Sequence, residues 1–184
     1  MKKIIYFLFI FILFHIGMPT FAAGADLTVS NDGHWLVNRD SGEPFFLMAD
    51  SAWRLHSLSS SEQDIYFRNR QNKRFTACYV GLTTYWSSDP DGYGANANGD
   101  MPFNDSSDCL DWNYDYFEHI SSLIARAASY DMYIILEVGE PCDSRRDCFV
   151  GSGNTSEARQ WGEQVGDYFK DHENVIFALG QDRD

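Results

Sequence analysis

Acidic side chains recur where apolar runs end in this chain. Asp50 follows residues 44–49, Glu137 and Glu140 close the run 132–138, and Asp182 stands just beyond 175–179. A protonated carboxyl can hand a proton to a leaving oxygen, and an ionised one can accept a proton or steady a developing cation. Aromatic side chains keep them company: Trp53 lies three residues after Asp50, and Tyr85 and Trp86 follow the run 75–82. Such rings stack on flat ligands or on the faces of sugars, or else simply pack in a core; aromatics make up 16% of the chain, enough for both. Asp50 reads as a hydrogen-bond partner for a ligand hydroxyl or as a plain strand-end contact. Glu140 reads as a loop or ligand-binding residue. The histidines His34, His56, His119 and His172 show no metal-ligand spacing and read as satisfied surface groups. Asp89-x-Asp91-Gly lacks the rest of a calcium-loop pattern, so no metal site and no cofactor are expected.

The elements that must position these residues follow from periodicity. Residues 27–30 and 35–38 flank an Asp32-Gly33 turn, a hairpin signal. The unbroken apolar run 44–49 suits a strand buried on both faces. Ser59 with Glu62, and Ser60 with Gln63, form capping boxes that open a helix reaching to about residue 74. A strand at 75–82 leads into a loop rich in Gly, Asn and Asp up to residue 113. Tyr116, Phe117, Ile120, Leu123, Ile124 and Ala127 recur at helical spacing. A strand at 132–138, a polar loop at 141–154, a helix at 157–170 with Trp161, Val165, Tyr168 and Phe169 inward, and a strand at 175–179 complete the order. Strands alternating with helices imply a parallel sheet. The loops after strands are long, and no glycine-rich turn follows Asp50, which disfavours a dinucleotide-binding sheet. The expected fold is α/β: the N-terminal half, about four β/α units, of a (β/α)8 TIM barrel, preceded by a short β-hairpin. A four-stranded open sheet is the alternative. On the barrel reading the domain spans 26–184 and is truncated after its fourth strand.

Lys2 and Lys3 precede an apolar stretch at 4–16, and small residues follow at Ala22, Ala23 and Ala25. That is the layout of a signal peptide over residues 1–25, and the stretch falls short of the ~20 residues a membrane span needs. The expected location is secreted or periplasmic. Net charge is −13, and loss of the two leader lysines makes it −15. A surface so acidic repels phosphate backbones and anionic lipid, so neither nucleic acid nor, after cleavage, membrane is an expected partner. Of the four cysteines, Cys142 and Cys148 flank a polar loop and are the first choice for a disulfide, whereas Cys78 reads as a buried free thiol.

The segments 45–53, 116–119, 126–128 and above all 172–183 (HENVIFALGQDR) resemble the apiosidase-like glycoside hydrolases, across nearly all of the chain after the leader. The resemblance implies a (β/α)8 barrel that removes branched pentose sugars from plant polysaccharide side chains, with a carbohydrate as its partner. The family's Gly-Gly-Asp motif falls on Gly180-Gln181-Asp182, which gives Asp182 the acid/base role; Gln181 adds a side chain where the family has a second glycine. Asp50 and Trp53 match its Asp-x-Ala-Trp segment, as sugar ligand and subsite floor. The contrary view of Asp182 is a helix cap or an Arg183 partner. Glycosidic cleavage needs two carboxyls, and the second is expected from a later strand, in a missing C-terminal half of the barrel. The chain alone is therefore expected to be inactive. The rival reading is a non-catalytic carbohydrate-binding or degenerate barrel domain.

Overall fold

A computed structural model describes residues 26–83, 94–105, 108–139 and 155–179. The Asp-Gly step closes a hairpin, β1 (Leu27–Val29) antiparallel to β2 (Leu36–Asn38). Gly33 sits in it at φ +77°, a conformation that a side chain would strain. The next apolar run forms a strand only at its end, β3 (Ala49–Ser51). The reason lies in its hydrogen bonds. Phe45 gives its N–H to the Leu36 carbonyl at 2.8 Å, and Met48 gives its own to the Thr76 hydroxyl at 2.8 Å, so neither is left for a ladder.

Helix α1 (Ser60–Asn72) starts at the expected capping box: the Glu62 carboxylate accepts from the Ser59 N–H at 2.9 Å and from its hydroxyl at 2.6 Å. The second expected box does not form, because Ser59 is the cap and Ser60 is already inside the helix; the Gln63 amide donates to the Leu58 carbonyl at 2.9 Å. Then come β4 (Ala77–Gly81), α2 (Tyr114–Ala128), β5 (Tyr133–Glu137), α3 (Thr155–Phe169) and β6 (Val175–Ala178). The parallel sheet runs β3-β4-β5-β6, in chain order with no reversal. Doubly wound sheets reverse at a switch point; barrels do not. This is the partial barrel.

Side chains alternate between the two faces of each strand. Cys78, Val80, Ile134 and Leu136 meet the helices in one core with Phe67, Trp161, Val165, Phe169 and the whole α2 stripe from Tyr116 to Ala127. On the opposite face Ala77 and Tyr133, with Ile135 and Ile176, pack against Leu27, Leu36, Phe45 and Leu47. The hairpin segment thus covers this face where β4 and β5 begin.

Helix α1 buries only Gln63 and Phe67, so polar ties hold it: Arg70 to Asp50, and Asp64 to Arg126 and Tyr130. Asn174, in the turn before β6, is buried and its amide bridges the carbonyls of Ile124 (3.0 Å) and Met132 (3.1 Å). Among the described residues no helix is long and apolar enough to cross a membrane. Cys78 is a buried free thiol, as expected. Cys109 is disulfide-bonded. Cys142 and Cys148, the expected pair, lie outside the described residues.

Candidate functional site at the carboxyl rim

Strand register sets one transverse row at the carboxyl end of the sheet. Gly81 lies opposite Glu137, and Glu137 opposite Ala178. The Gly81 N–H donates to the Trp53 carbonyl at 3.1 Å, which brings Trp53 to the same level. Two buried hydrogen bonds pin the strand tips just beyond. The Tyr116 hydroxyl donates to the Leu82 carbonyl, and the Trp161 indole N–H to the Val138 carbonyl, both at 2.8 Å. Sheet tips held from the helix side keep the rim rigid, and a rigid rim is what a binding site needs.

Glu137 shares its face with Tyr133 and Ile135, turned away from the helices, and is 1% exposed. Its neighbours in the row, Gly81 and Ala178, have little or no side chain. Trp53 is half-buried and its ring packs on Tyr79, centroids 5.0 Å apart, on this same face. An acidic group and an aromatic pair therefore occupy one end of one face. Sequence reasoning placed Glu137 near the rim but left it out of the site. The signal was available in the period of two, Tyr133-Ile135-Glu137, which aligns the glutamate with residues facing away from the helices.

Asp50 is placed elsewhere. It pairs in register with Cys78, on the helix side, and its carboxylate accepts from the Tyr66 hydroxyl at 2.6 Å and from Arg70 Nε at 2.5 Å. Partial burial alone would raise its pKa. The hydrogen bonds from Tyr66 and Arg70, with the positive charges of Arg70 and Lys73, outweigh that and hold the carboxyl below its usual range. Asp50 and Trp53 are thus near in sequence and turned to different faces. Tyr85, Trp86, Glu140 and Asp182 lie outside the described residues, as does the Asp89-x-Asp91 segment.

Residues 94–105 are folded on themselves by short-range polar contacts. The Asn96 side chain accepts from the N–H groups of Asn98 and Asp100 and donates to the Asp100 carboxylate at 2.9 Å. Gly94 lies against Arg54 so closely that a Cβ would meet its guanidinium at 3.0 Å. The Trp112 ring stacks on Phe117 at 3.7 Å with Trp161 against its edge, fastening the end of the loop to the core. His56, expected at the surface, is fully buried, with its ring edge to Tyr116. Burial, and then the neighbouring charges of Arg54 and His119, lower its pKa to about 3, so the ring is neutral.

A polar groove of about 750 Å³ lies outside the sheet, between the start of α1, Asn98, Asp100 and the Glu118–His119 side of α2. None of the residues lining it is in the rim row. Among the described residues no cluster of His, Cys, Asp or Glu is placed to hold a metal ion.

The family model for the apiosidase-like catalytic domain matches residues 30–184. The chain belongs to this family. Among solved structures it resembles a glycoside hydrolase at 22% identity and TM-score 0.70, over 86% of this chain and 34% of that one. A family 5 glycoside hydrolase from Bacteroides vulgatus matches at 24% identity and TM-score 0.71, over 86% and 33%. An endo-1,4-β-mannanase from Rhizomucor miehei matches at 14% identity and TM-score 0.55, over 85% and 48%. At such identities these likenesses establish the fold, a partial glycoside-hydrolase barrel. The chain spans about a third of the length of the first two. Among curated proteins, none is significantly similar to this apiosidase-like chain.

Proposed function

We propose that this apiosidase-like chain belongs to an exported glycoside hydrolase that trims sugars from plant polysaccharide side chains. Asp182 serves as its acid/base, and Trp53, Tyr85, Trp86 and Glu140 contribute to the sugar site. The observation that carries the reading is the family match running through the Gly180-Gln181-Asp182 segment. The parallel sheet agrees with it: β6 ends level with Glu137, and Asp182 follows Ala178 by four residues in sequence. Active sites of (β/α)8 enzymes gather at the carboxyl ends of the strands. A carboxylic acid there protonates the glycosidic oxygen while a second carboxylate serves the opposite side of the sugar ring. The hairpin packs at the other end of the sheet face that bears Glu137, against Ala77 and Tyr133 where β4 and β5 begin.

Turnover is a property of the whole protein. The test is to incubate the protein at its full natural length with pectic polysaccharides and analyse released sugars by anion-exchange chromatography. Release of a neutral sugar, abolished by Asp182→Asn, supports the hydrolase reading. Tight retention of polysaccharide without release replaces it with the carbohydrate-binding reading.

A further inference from the structure

We infer that His56 and His119 form an acid-sensitive latch, which holds the segment 94–100 closed when both are neutral and releases it when they take up protons. The Ala97 N–H donates to the His56 carbonyl at 3.0 Å, and the Ser57 hydroxyl to the Ala95 carbonyl at 3.3 Å. Gly94 lies against the Arg54 guanidinium. The bonds from Asn96 to Asn98 and Asp100 are internal to the segment, so it can move as a unit. His56 lies beneath it, fully buried, and among the described residues neither of its ring nitrogens has a hydrogen-bond partner. The charges of Arg54 and His119 oppose a proton there, and no carboxylate is among the groups that act on the ring. The Tyr116 ring packs edge-on against it, with its hydroxyl given to Leu82. The Gly94 backbone is the one influence that favours the charged form, and it is the smallest.

His119 resists a proton for a different reason. Its Nε2 lies 3.4 Å from the Gln63 amide nitrogen, which the Leu58 carbonyl orients at 2.9 Å. An amide nitrogen only donates, so Nε2 accepts and carries no proton. Protonation would set donor against donor. Asp100 and the His56 backbone favour the charged ring, but burial, with Arg126 in support, outweighs them and lowers its pKa. Asp115 and Glu118 line the groove beside it. The closed state therefore binds fewer protons than the open one, and closure weakens as pH falls below about 6.5. Asn98, Asp100 and His119 share the wall of that groove, so acid remodels it.

The test is hydrogen–deuterium exchange of the full natural-length protein across the acid range, read as protection corrected for intrinsic exchange. Protection over 94–100 should fall below about pH 6.5, by up to about tenfold per pH unit for each histidine. It should stay below that of β5 at every pH, the mark of local opening, while near-ultraviolet circular dichroism persists. His119→Gln keeps an acceptor for Gln63 and cannot titrate; it should reduce the slope to that of one histidine. His56→Leu combined with His119→Gln should abolish the slope. If the double variant does not fold, His119→Gln alone decides. Protection over 94–100 that ignores pH overturns the latch, and so does a slope unchanged in a folded variant. Protection equal to that of β5 throughout also overturns it, because the opening is then global.

Discussion

The Tyr66 hydroxyl donates to the Asp50 carboxylate over 2.6 Å, joining the first strand of the parallel sheet to the helix that follows it. Arg70 holds the same oxygen, and only about a quarter of either partner's side chain is exposed in this pair. Asp50→Asn should cost about 1.5–3 kcal/mol in urea unfolding, the range for hydrogen bonds to charged groups. The folded state depresses the Asp50 pKa, so its contribution is present above the unfolded carboxyl pKa, near 3.9, and is lost as pH falls through the lower folded value. The variant should therefore show a flatter acid limb in its stability profile. Lost sugar binding at unchanged stability would give Asp50 a ligand role instead.

His56 titrates in the opposite setting. Its folded pKa is lowered to about 3, so below about pH 6.5 the unfolded chain binds a proton that the folded one refuses. Stability should fall as pH drops from about 6.5 toward 3, by up to ~1.4 kcal/mol per pH unit from this one group. In His56→Leu that part of the slope should disappear from melting curves taken across the range. An unchanged slope would show that His56 is reached by solvent or paired when charged.

Cys78 is a buried thiol whose pKa burial pushes up to about 12, and a thiolate is what alkylating reagents require. Iodoacetamide at pH 8 should leave it unmodified in the folded protein and label it fully in urea, as read by peptide mass spectrometry. Native-state labelling at the rate of a free thiol would contradict the packing around β4.

Asp182→Asn keeps shape and removes the titrating proton. Substrates with poor leaving groups should lose ~10²–10⁴-fold in kcat/KM, and those with an activated phenolate far less. The alkaline limb of the rate profile, where the general acid would ionise, should be the limb that changes. Equal, modest losses on both substrates with a lowered melting temperature would make Asp182 a helix cap.

Local chemistry was enough to mark most elements. The Asp32-Gly33 turn, the Ser59–Glu62 cap and the six-residue stripe of α2 each depend on neighbours within a few positions, and all three stand in the structure where periodicity and turn chemistry put them. The alternation of β and α, with no glycine-rich turn after the first strand, also carried the barrel reading, and the order β3-β4-β5-β6 agrees with it. The family-like segment ending at Asp182 was likewise a matter of sequence alone.

What the sequence left open were contacts between distant segments. The strand expected over 44–49 shrank because β2 and Thr76 took its N–H groups. His56 looked like a surface residue until a loop some forty residues on, at Gly94–Ala97, closed over it. Asp50 and Glu137 looked alike, each an acid at a strand end. Register and pleat separated them, turning Asp50 toward Tyr66 and Arg70 on the helix side and Glu137 to the face of Tyr133 and Ile135. A strand's period of two says that alternate residues part company, but only the packed helices and the hairpin decide which face is which.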